Sequence, residues 1–298
     1  MFGIIDSSAN TQVFYTNGTN WQTWQKPANA KMVSIFCLGS GGGGGGGMAG
    51  TATQARRGGG GGGSGAFSHG TFAASQLPNA LYLIVGAGGS AGTPTTNGGS
   101  GALSYVTIRP DTTAINVLLA SGAVAATGGN TGSNSGTAGT GSTAWAGNIL
   151  NNLGLATATA GTNGGAGAIS VAATSITPSM LVCGGPSGGN TSTSVAFAGG
   201  NIVGSGFLNT ISGGALGSGS TAGGDGSDGY MPNIFSSSKS YPIFFTAGSG
   251  GGASVSGQGG NGGAGSYGCG GAGGGAGFTG LAGNGGRGGD GLIIITCY

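Results

Sequence analysis

Charge is what this sequence has least of. Only 4% of its 298 residues are charged, with seven Lys and Arg, five Asp, no Glu and one His. Because nucleic-acid binding rests mainly on neutralised phosphates, this composition excludes a nucleic-acid-binding role. Low charge also removes the usual means of keeping a free monomer soluble, which favours a protein that works inside a larger assembly or as a homo-oligomer. The one basic pair, Arg56-Arg57, is interpreted as a solvated loop tip.

Long apolar runs and helix-forming residues are scarce as well. No apolar run approaches the length that spans a bilayer, so no membrane insertion is expected. The N-terminal Met1–Asp6 lacks a basic region followed by an apolar segment, so we expect no secretory signal and synthesis in a cytoplasm. With no Glu and few Lys, Arg and Gln, little of the chain has helix-forming composition, and we expect almost no α-helix.

Cysteine and histidine are too few to build a disulfide framework or a metal site. The four cysteines are far apart in the sequence and include no C-x-x-C pair; they are Cys37, Cys183, Cys269 and Cys297. With a single histidine, His69, a Cys/His zinc site is disfavoured. The sequence therefore predicts buried free thiols, no metal and no cofactor.

No constellation for catalysis is found, and we predict that the protein is not an enzyme. Gly88–Gly92 and Gly185–Gly189 match the nucleophile-elbow pattern G-x-S-x-G, but such matches are expected by chance at this glycine content, and neither precedes a helix. His69 is interpreted as structural. Asp225 and Asp228 resemble part of a calcium loop without its closing Glu, so a tight Asp-Gly turn is favoured there.

What the sequence has in abundance is glycine, at 79 residues. Short bursts of β-forming residues run directly into the glycine stretches. Four of them have the length and composition of strands: Ile35–Leu38, Leu83–Val85, Leu181–Cys183 and Ile243–Ala247.

Where glycine runs longest, the sequence has a period of three. Asn284, Arg287 and Asp290 are separated by pairs of glycines. Three residues per turn is the period of the polyproline-II helix, which makes no internal hydrogen bonds. With only eight prolines, neighbouring segments must supply those bonds, and residues without Cβ let the backbones approach closely enough to do so. Collagen is excluded, because the Gly-X-Y phase breaks repeatedly.

The predicted fold class is therefore mainly β and irregular, with a β-strand frame around a bundle of glycine-rich, polyproline-II-like (polyglycine-II) helices. We expect a single domain, 1–298, with the frame from 11–38 and 291–298 and the bundle with its variable loops from 39–290. Met32–Leu38 and Leu292–Tyr298 are the strongest strand candidates and are expected to pair, with Trp21 and Trp24 packing against the first of them.

Four aromatic residues of the middle portion are candidates for receptor binding: Trp145, Phe197, Phe207 and Tyr230. Small polar residues surround them, and binding surfaces often combine rigid aromatic side chains with small adaptable ones. The alternative, that each covers a glycine helix as local packing, has equal weight.

Three stretches resemble a known family. Trp21–Ile35, followed by the glycines of 39–44, is similar to the Trp-x-x-Pro-x-Gly-Ala strand and polyglycine run of glycine-rich domains in bacteriophage tail-fibre and other virion proteins. Gly285–Ile295 matches their closing strand, and Leu77–Gly89 matches a third segment. Asn29 departs from the family pattern, which usually has Gly there. The match spans nearly the full chain.

This resemblance implies a virion protein made in the host cytoplasm. It is similar in kind to the adhesins at the fibre tips of T-even-like phages, in which polyglycine-II helices form a sandwich and loops bind the host receptor. The implied partners are fibre, tail or capsid subunits and a host surface receptor. Two alternatives stay open: a capsid or tail decoration protein that binds no receptor, and an ice-binding protein with a flat face of regularly spaced small residues.

Overall fold

The computed structural model describes residues 10–51, 53–134, 136–145, 155–167, 172–175, 182–204, 209–230 and 245–298. Within these ranges the fold is mainly β and irregular, as predicted. The only helical elements there are the short 3-10 turns Ala74–Gln76, Ala114–Asn116 and Gly132–Asn134. None of the described helices has the length and apolar composition needed to cross a bilayer.

The strands of the described residues are β1 (Asn10–Phe14), β2 (Gln22–Gln25), β3 (Met32–Leu38), β4 (Ala49–Gly50), β5 (Phe67–Ala73), β6 (Ala80–Ile84), β7 (Tyr105–Thr107), β8 (Val117–Ala120), β9 (Ala156–Thr159), β10 (Thr174–Ser175), β11 (Ile202–Val203), β12 (Gly277–Phe278) and β13 (Leu292–Cys297). Most of the longer strands form two antiparallel sheets, with orders β1-β13-β3-β5-β9 and β2-β6-β7-β8. The remaining strands pair in parallel as β10-β11 and β12-β4.

The predicted pairing of the two end strands is confirmed. β13 lies antiparallel to β3, with Leu292 opposite Leu38 and Ile295 opposite Ile35. The frame is larger than the 11–38 and 291–298 expected, because β5 to β9 come from the range assigned to the bundle.

The two sheets enclose one apolar core. Alternate residues of β3 and β13 point into it and meet side chains from β2 and β6, as the period of two in a strand requires. Trp24 is buried there, confirming its predicted packing. Each fully buried Leu or Ile contributes about 1.5–3 kcal/mol. The core residues include Trp24, Val33, Ile35, Leu81, Leu83, Val106, Leu119, Ile293 and Ile295.

The glycine segments continue the sheets and keep their register. Past the β3–β13 pair, the N–H of Gly41 donates to Gly289 O, that of Gly44 to Gly286 O and that of Gly47 to Gly283 O. The two segments run antiparallel, and the bonded positions advance by three residues on one segment as they go back by three on the other. This is the register of the β3–β13 pair. Glycine helices that adjoin neighbouring strands are therefore neighbours themselves.

The segment 39–47 shows how the helices pack. Successive N–H groups donate in turn to three neighbouring segments, and three further segments donate to its carbonyl groups. The six neighbours are 58–66, 96–102, 281–291, 86–93, 121–132 and 268–277. Six partners around one helix make a hexagonal array, and the predicted backbone core is thereby confirmed.

The array has stacked layers, which its hydrogen bonds define. What we call the outer layer consists of 86–93, 281–291, 257–266 and 221–230. The next layer consists of 96–102, 39–47, 268–277, 245–254 and 211–217. A third contains 121–132, 58–65, 183–190 and 197–201, followed by 137–143 and 161–167.

Position in the array explains where glycine is required. All of 39–47 is buried, whereas along 281–290 the exposed side chains recur every third residue, at Leu281, Asn284 and Arg287. Inside the array the backbones nearly touch: a Cβ added at Gly44 would lie 1.9 Å from the carbonyl oxygen of Ala272. The longest glycine runs are therefore interior helices, and the Gly-Gly-X stretches are surface helices.

Two of the four predicted strand bursts are confirmed, Ile35–Leu38 and the greater part of Leu83–Val85. The other two are wrong for their described residues, 182–183 and 245–247, which form no strand; Leu181 and residues 243–244 lie outside the described ranges. The reason is that their backbone groups bond to glycine helices, Cys183 O accepting from Gly270 N–H. All four cysteines are buried free thiols, as predicted.

We predict that Gly44→Ala lowers the free energy of unfolding by about 1–3 kcal/mol or more, because the added methyl group forces neighbouring backbones apart. Ala222→Ser is the matched control, since it also adds one heavy atom but at an exposed position of the outer layer. Its effect should stay within about 0.5 kcal/mol. Denaturant unfolding of both variants measures the difference; equal stability would contradict the backbone core.

Candidate functional site: a tyrosine-lined depression in the outer layer

The outer layer presents a flat face on which every third residue of each helix points outward. A polyproline-II helix rises 3.1 Å per residue, so these side chains repeat about every 9 Å. Three of the chain's five aspartates stand on this face, at Asp225, Asp228 and Asp290, with Arg287 beside them.

Asp and Asn side chains on this face bond to the neighbouring helix. Oδ1 of Asp225 accepts from the N–H of Asn261 (2.7 Å), and Oδ1 of Asn261 accepts from the N–H of Asn284 (2.9 Å). Oδ1 of Asp228 accepts from Ala264 N–H in the same way (2.8 Å). The tight Asp-Gly turn predicted at Asp225 and Asp228 is therefore wrong, because both lie in a glycine helix and act as acceptors for the next one.

We call this arrangement the Asx ladder, where Asx means Asp or Asn. The side chain at 225, 228 or 261 accepts a hydrogen bond from a backbone N–H of the adjacent helix. The ladder satisfies donors that point along the surface and have no carbonyl partner. Asn261 and Asn284 form one complete rung. The next rung along the same two helices pairs position 264 with position 287, and there the ladder is broken.

Ala264 occupies the position where an Asx side chain is needed. Gly265 N–H donates to Arg287 O, as Gly262 N–H donates to Asn284 O one turn earlier, so the two rungs are geometrically equivalent. Alanine has no acceptor, and within the described residues the N–H of Arg287 has no partner. The N–H of Asp290, one turn further and beside Tyr267, has none there either.

A depression of about 210 Å³ opens at this broken rung, lined by Ala264–Tyr267 on one helix and Arg287–Asp290 on the other. Nη2 of Arg287 lies 2.5 Å from Oδ1 of Asp290. The same Oδ1 also accepts from Gly88 N–H (2.8 Å), which fixes the carboxylate in place. The charges of Arg287 and Asp290 neutralise each other.

Tyr267 lines the depression at the end nearest the sheets, and two other aromatic rings hold it in place. The rings of Tyr15 and Tyr267 are 5.8 Å apart, and Phe245 meets the Tyr267 ring edge-on at 5.7 Å. Burial, followed by the proximity of Tyr15 and the Asp290 carboxylate, raises the pKa of Tyr267. Tyr267 is therefore a neutral phenol at physiological pH, with an apolar ring and a hydroxyl group available to a ligand.

The side chains around the depression offer hydrogen-bonding groups and an aromatic ring. In the described part of the chain, no group of His, Cys or Asp side chains is placed to hold a metal ion. His69 lies on β5 with Nε2 2.9 Å from Ser34 Oγ, and burial lowers its pKa. Ser187, of the second elbow-like motif, is buried, and its Oγ accepts from Ala172 N–H.

The predicted binding residues are not brought together. Trp145 packs against the core between the sheets, whereas Phe197 stands at the opposite end of the bundle, where its N–H donates to Asn190 O. Tyr230 is exposed on the outer layer, and its N–H is bonded to Thr246 Oγ1. Phe207 lies outside the described residues. None of the three described candidates lines the depression.

Sequence reasoning missed Tyr15, Tyr267, Arg287 and Asp290 as a set. Arg287 and Asp290 had been noticed only for their period of three. The signal in the sequence is the alignment of Gly-Gly-Asn-Gly-Gly-Ala (259–264) with Gly-Gly-Arg (285–287), in which an alanine takes the Asx position. That signal has meaning only once the two helices are known to be neighbours.

The end of the bundle far from the sheets is held by Arg56, which is buried. Its guanidinium donates to Gly277 O (2.5 Å), Val255 O (2.6 Å) and Gly50 O (3.1 Å), and its Nε donates to Thr191 Oγ1 (3.1 Å). Burial lowers its pKa. The predicted solvated loop tip is wrong for Arg56, because carbonyl groups of converging segments need a donor; Arg57 is exposed.

Comparison with known families gives one match: the model of a glycine-rich domain covers residues 16–298. The chain belongs to this glycine-rich domain family. A search of curated proteins finds no similar sequence.

We predict that Asn261→Ala costs about 0.5–1.5 kcal/mol of stability, because it removes the acceptor of one backbone donor. Amide hydrogen exchange should accelerate at Asn284 in particular. Gln258→Ala, one turn earlier on the same face, is the control and should leave that exchange rate unchanged. Unaltered protection of Asn284 in Asn261→Ala would refute the ladder.

We predict that Arg56→Met lowers the free energy of unfolding by at least about 3 kcal/mol, because several buried carbonyl groups lose their donor at once. Arg57→Met, at the exposed neighbouring position, should change it by less than about 0.5 kcal/mol. Thermal unfolding of the two variants provides the comparison, and similar losses in both would argue against a structural role for Arg56.

Proposed function

We propose that this protein is a virion component of a bacteriophage, a tail-fibre or tip adhesin that binds a host surface receptor and catalyses no reaction. The observation that carries the proposal is the backbone core. Because the array bonds through N–H and C=O groups, its interior does not depend on the identity of most exposed side chains in the loops. Such a scaffold tolerates sequence change at its surface, which suits a protein that must follow a changing receptor.

The loops support the proposal by their placement. Hairpin-like tips connect the glycine helices at the end away from the sheets, where Arg56 joins several of them. The proposal assigns attachment to fibre or tail subunits to the other end, where the two sheets lie. Described tips at the far end include 53–57, 94–95, 191–196, 218–220, 255–256 and 278–280.

Adsorption experiments test this proposal. Purified protein should bind bacteria of the host strain and, added before the phage that encodes it, reduce the rate of phage adsorption. Immunogold labelling of intact virions should mark the tail tip or fibres. Labelling spread over the capsid, with no binding to cells, would favour the decoration alternative instead.

Ice binding is the weaker alternative. The outer layer is flat and regular, which such a protein needs. However, its outward residues include Asp225, Asp228 and Arg287, and these are not the small side chains expected of an ice-binding face. A purified sample without thermal hysteresis would remove this alternative.

A further inference from the structure

We propose that the tyrosine-lined depression at the broken rung of the Asx ladder binds one saccharide unit of a surface glycan. The inference deepens the proposed function and rests on it for its biological setting. It assigns a site on the flat face of the bundle, distinct from the tips at the far end. The missing side chain at Ala264 is the central observation.

The first step concerns the backbone donors of the depression, the N–H groups of Arg287 and Asp290, which have no acceptor within the described residues. At three other positions on this face an Asx oxygen meets such an N–H at 2.7–2.9 Å. At Ala264 that oxygen is absent, so a ligand oxygen can take its place on Arg287 N–H. The N–H of Asp290 lies about 9 Å further along the helix, which is too far for the same sugar ring, so it is left to water or to the next sugar unit.

The second step concerns charge. A bare arginine in a depression would select an anion, but here the guanidinium of Arg287 is paired with Asp290. Oδ1 of Asp290 already accepts from Arg287 and from Gly88 N–H, whereas Oδ2 makes no hydrogen bond within the described residues. The site therefore offers donors and an acceptor side by side without net charge. Hydroxyl groups, which both donate and accept, match that mixture.

The third step is the aromatic border. The ring of Tyr267 provides an apolar surface, which contacts with the rings of Tyr15 and Phe245 hold in place. Sugar rings have one face of C–H groups and a rim of hydroxyl groups, so such a ring can pack on a tyrosine while its hydroxyl groups bond the helix backbone. The volume of about 210 Å³ suits a single ring.

The test introduces the missing acceptor side chain at position 264. Ala264→Asn supplies the missing Oδ1 to Arg287 N–H and occupies the depression, so it should complete the rung and leave the fold intact. Ala222→Asn is the matched control: Gly223 N–H donates to Gln258 O in the equivalent geometry, so the same substitution adds a rung facing Gln258 N–H, away from the depression. Slower amide exchange at Arg287 would verify that the Ala264→Asn rung has formed.

Binding is measured by titrating isotope-labelled protein with glucose, galactose, mannose and N-acetylglucosamine at millimolar concentrations, and by applying it to an array of bacterial surface glycans. We expect shifts of the Arg287 and Asp290 amide signals in the wild type and in Ala222→Asn. Ala264→Asn should weaken binding at least about tenfold. If no saccharide shifts these amides and no array glycan is bound, or if Ala264→Asn binds as well as the wild type, the assignment is overturned.

Cell binding separates this inference from the proposed function. Periodate, which cleaves vicinal diols, should abolish binding of the protein to host bacteria, whereas protease treatment of the cells should not. Binding abolished only by protease would identify a protein receptor and overturn the glycan assignment while leaving the adhesin proposal intact. Absence of cell binding together with saccharide shifts at Arg287 would instead refute the adhesin proposal alone.

Discussion

Every backbone N–H inside the bundle must find an acceptor on a neighbouring segment, because a helix with three residues per turn makes no bonds within itself. The structure meets this requirement through close approach. A Cβ at Gly44 would lie 1.9 Å from a neighbouring carbonyl oxygen, and the segment 39–47 bonds to six others. Glycine is therefore required by contact between backbones, and the surface pattern of the helices follows from it.

The sheets set the starting positions of this array. The register of the β3–β13 pair continues without a shift into 39–47 and 281–291. The strand pairs therefore determine which glycine helices are neighbours. In the strands, backbone hydrogen bonds form the pairs, and Val33, Ile35 and Ile293 also fill the core between the sheets. Beyond the sheets, backbone hydrogen bonds continue the same pairing. One topology is thus held by backbone bonds throughout, with a side-chain core added between the sheets.

The same constraint defines the candidate site. At the surface, backbone donors have no further helix to meet, and Asp or Asn side chains supply acceptors, as Asn261 does for Asn284. Ala264 leaves one rung open beside Tyr267 and the Arg287–Asp290 pair. The candidate site therefore lies where a surface backbone donor lacks the Asp or Asn acceptor that other donors on this face have. At the far end the need is reversed: backbone carbonyl groups lack a donor, and the buried Arg56 donates to them.

The sequence by itself determined the classes of structure: strands at Met32–Leu38 and Leu292–Cys297, period-three helices near Asn284, and free buried cysteines. It did so because local composition and spacing encode them. Only the tertiary structure decided that Asp225 is a ladder acceptor, that Arg56 is buried and that 182–183 is not a strand. It also separated Trp145 from Phe197 and joined Tyr267 to Asp290. These features depend on which helices are neighbours, and glycine, lacking a side chain, carries no pattern that says which neighbour it will have.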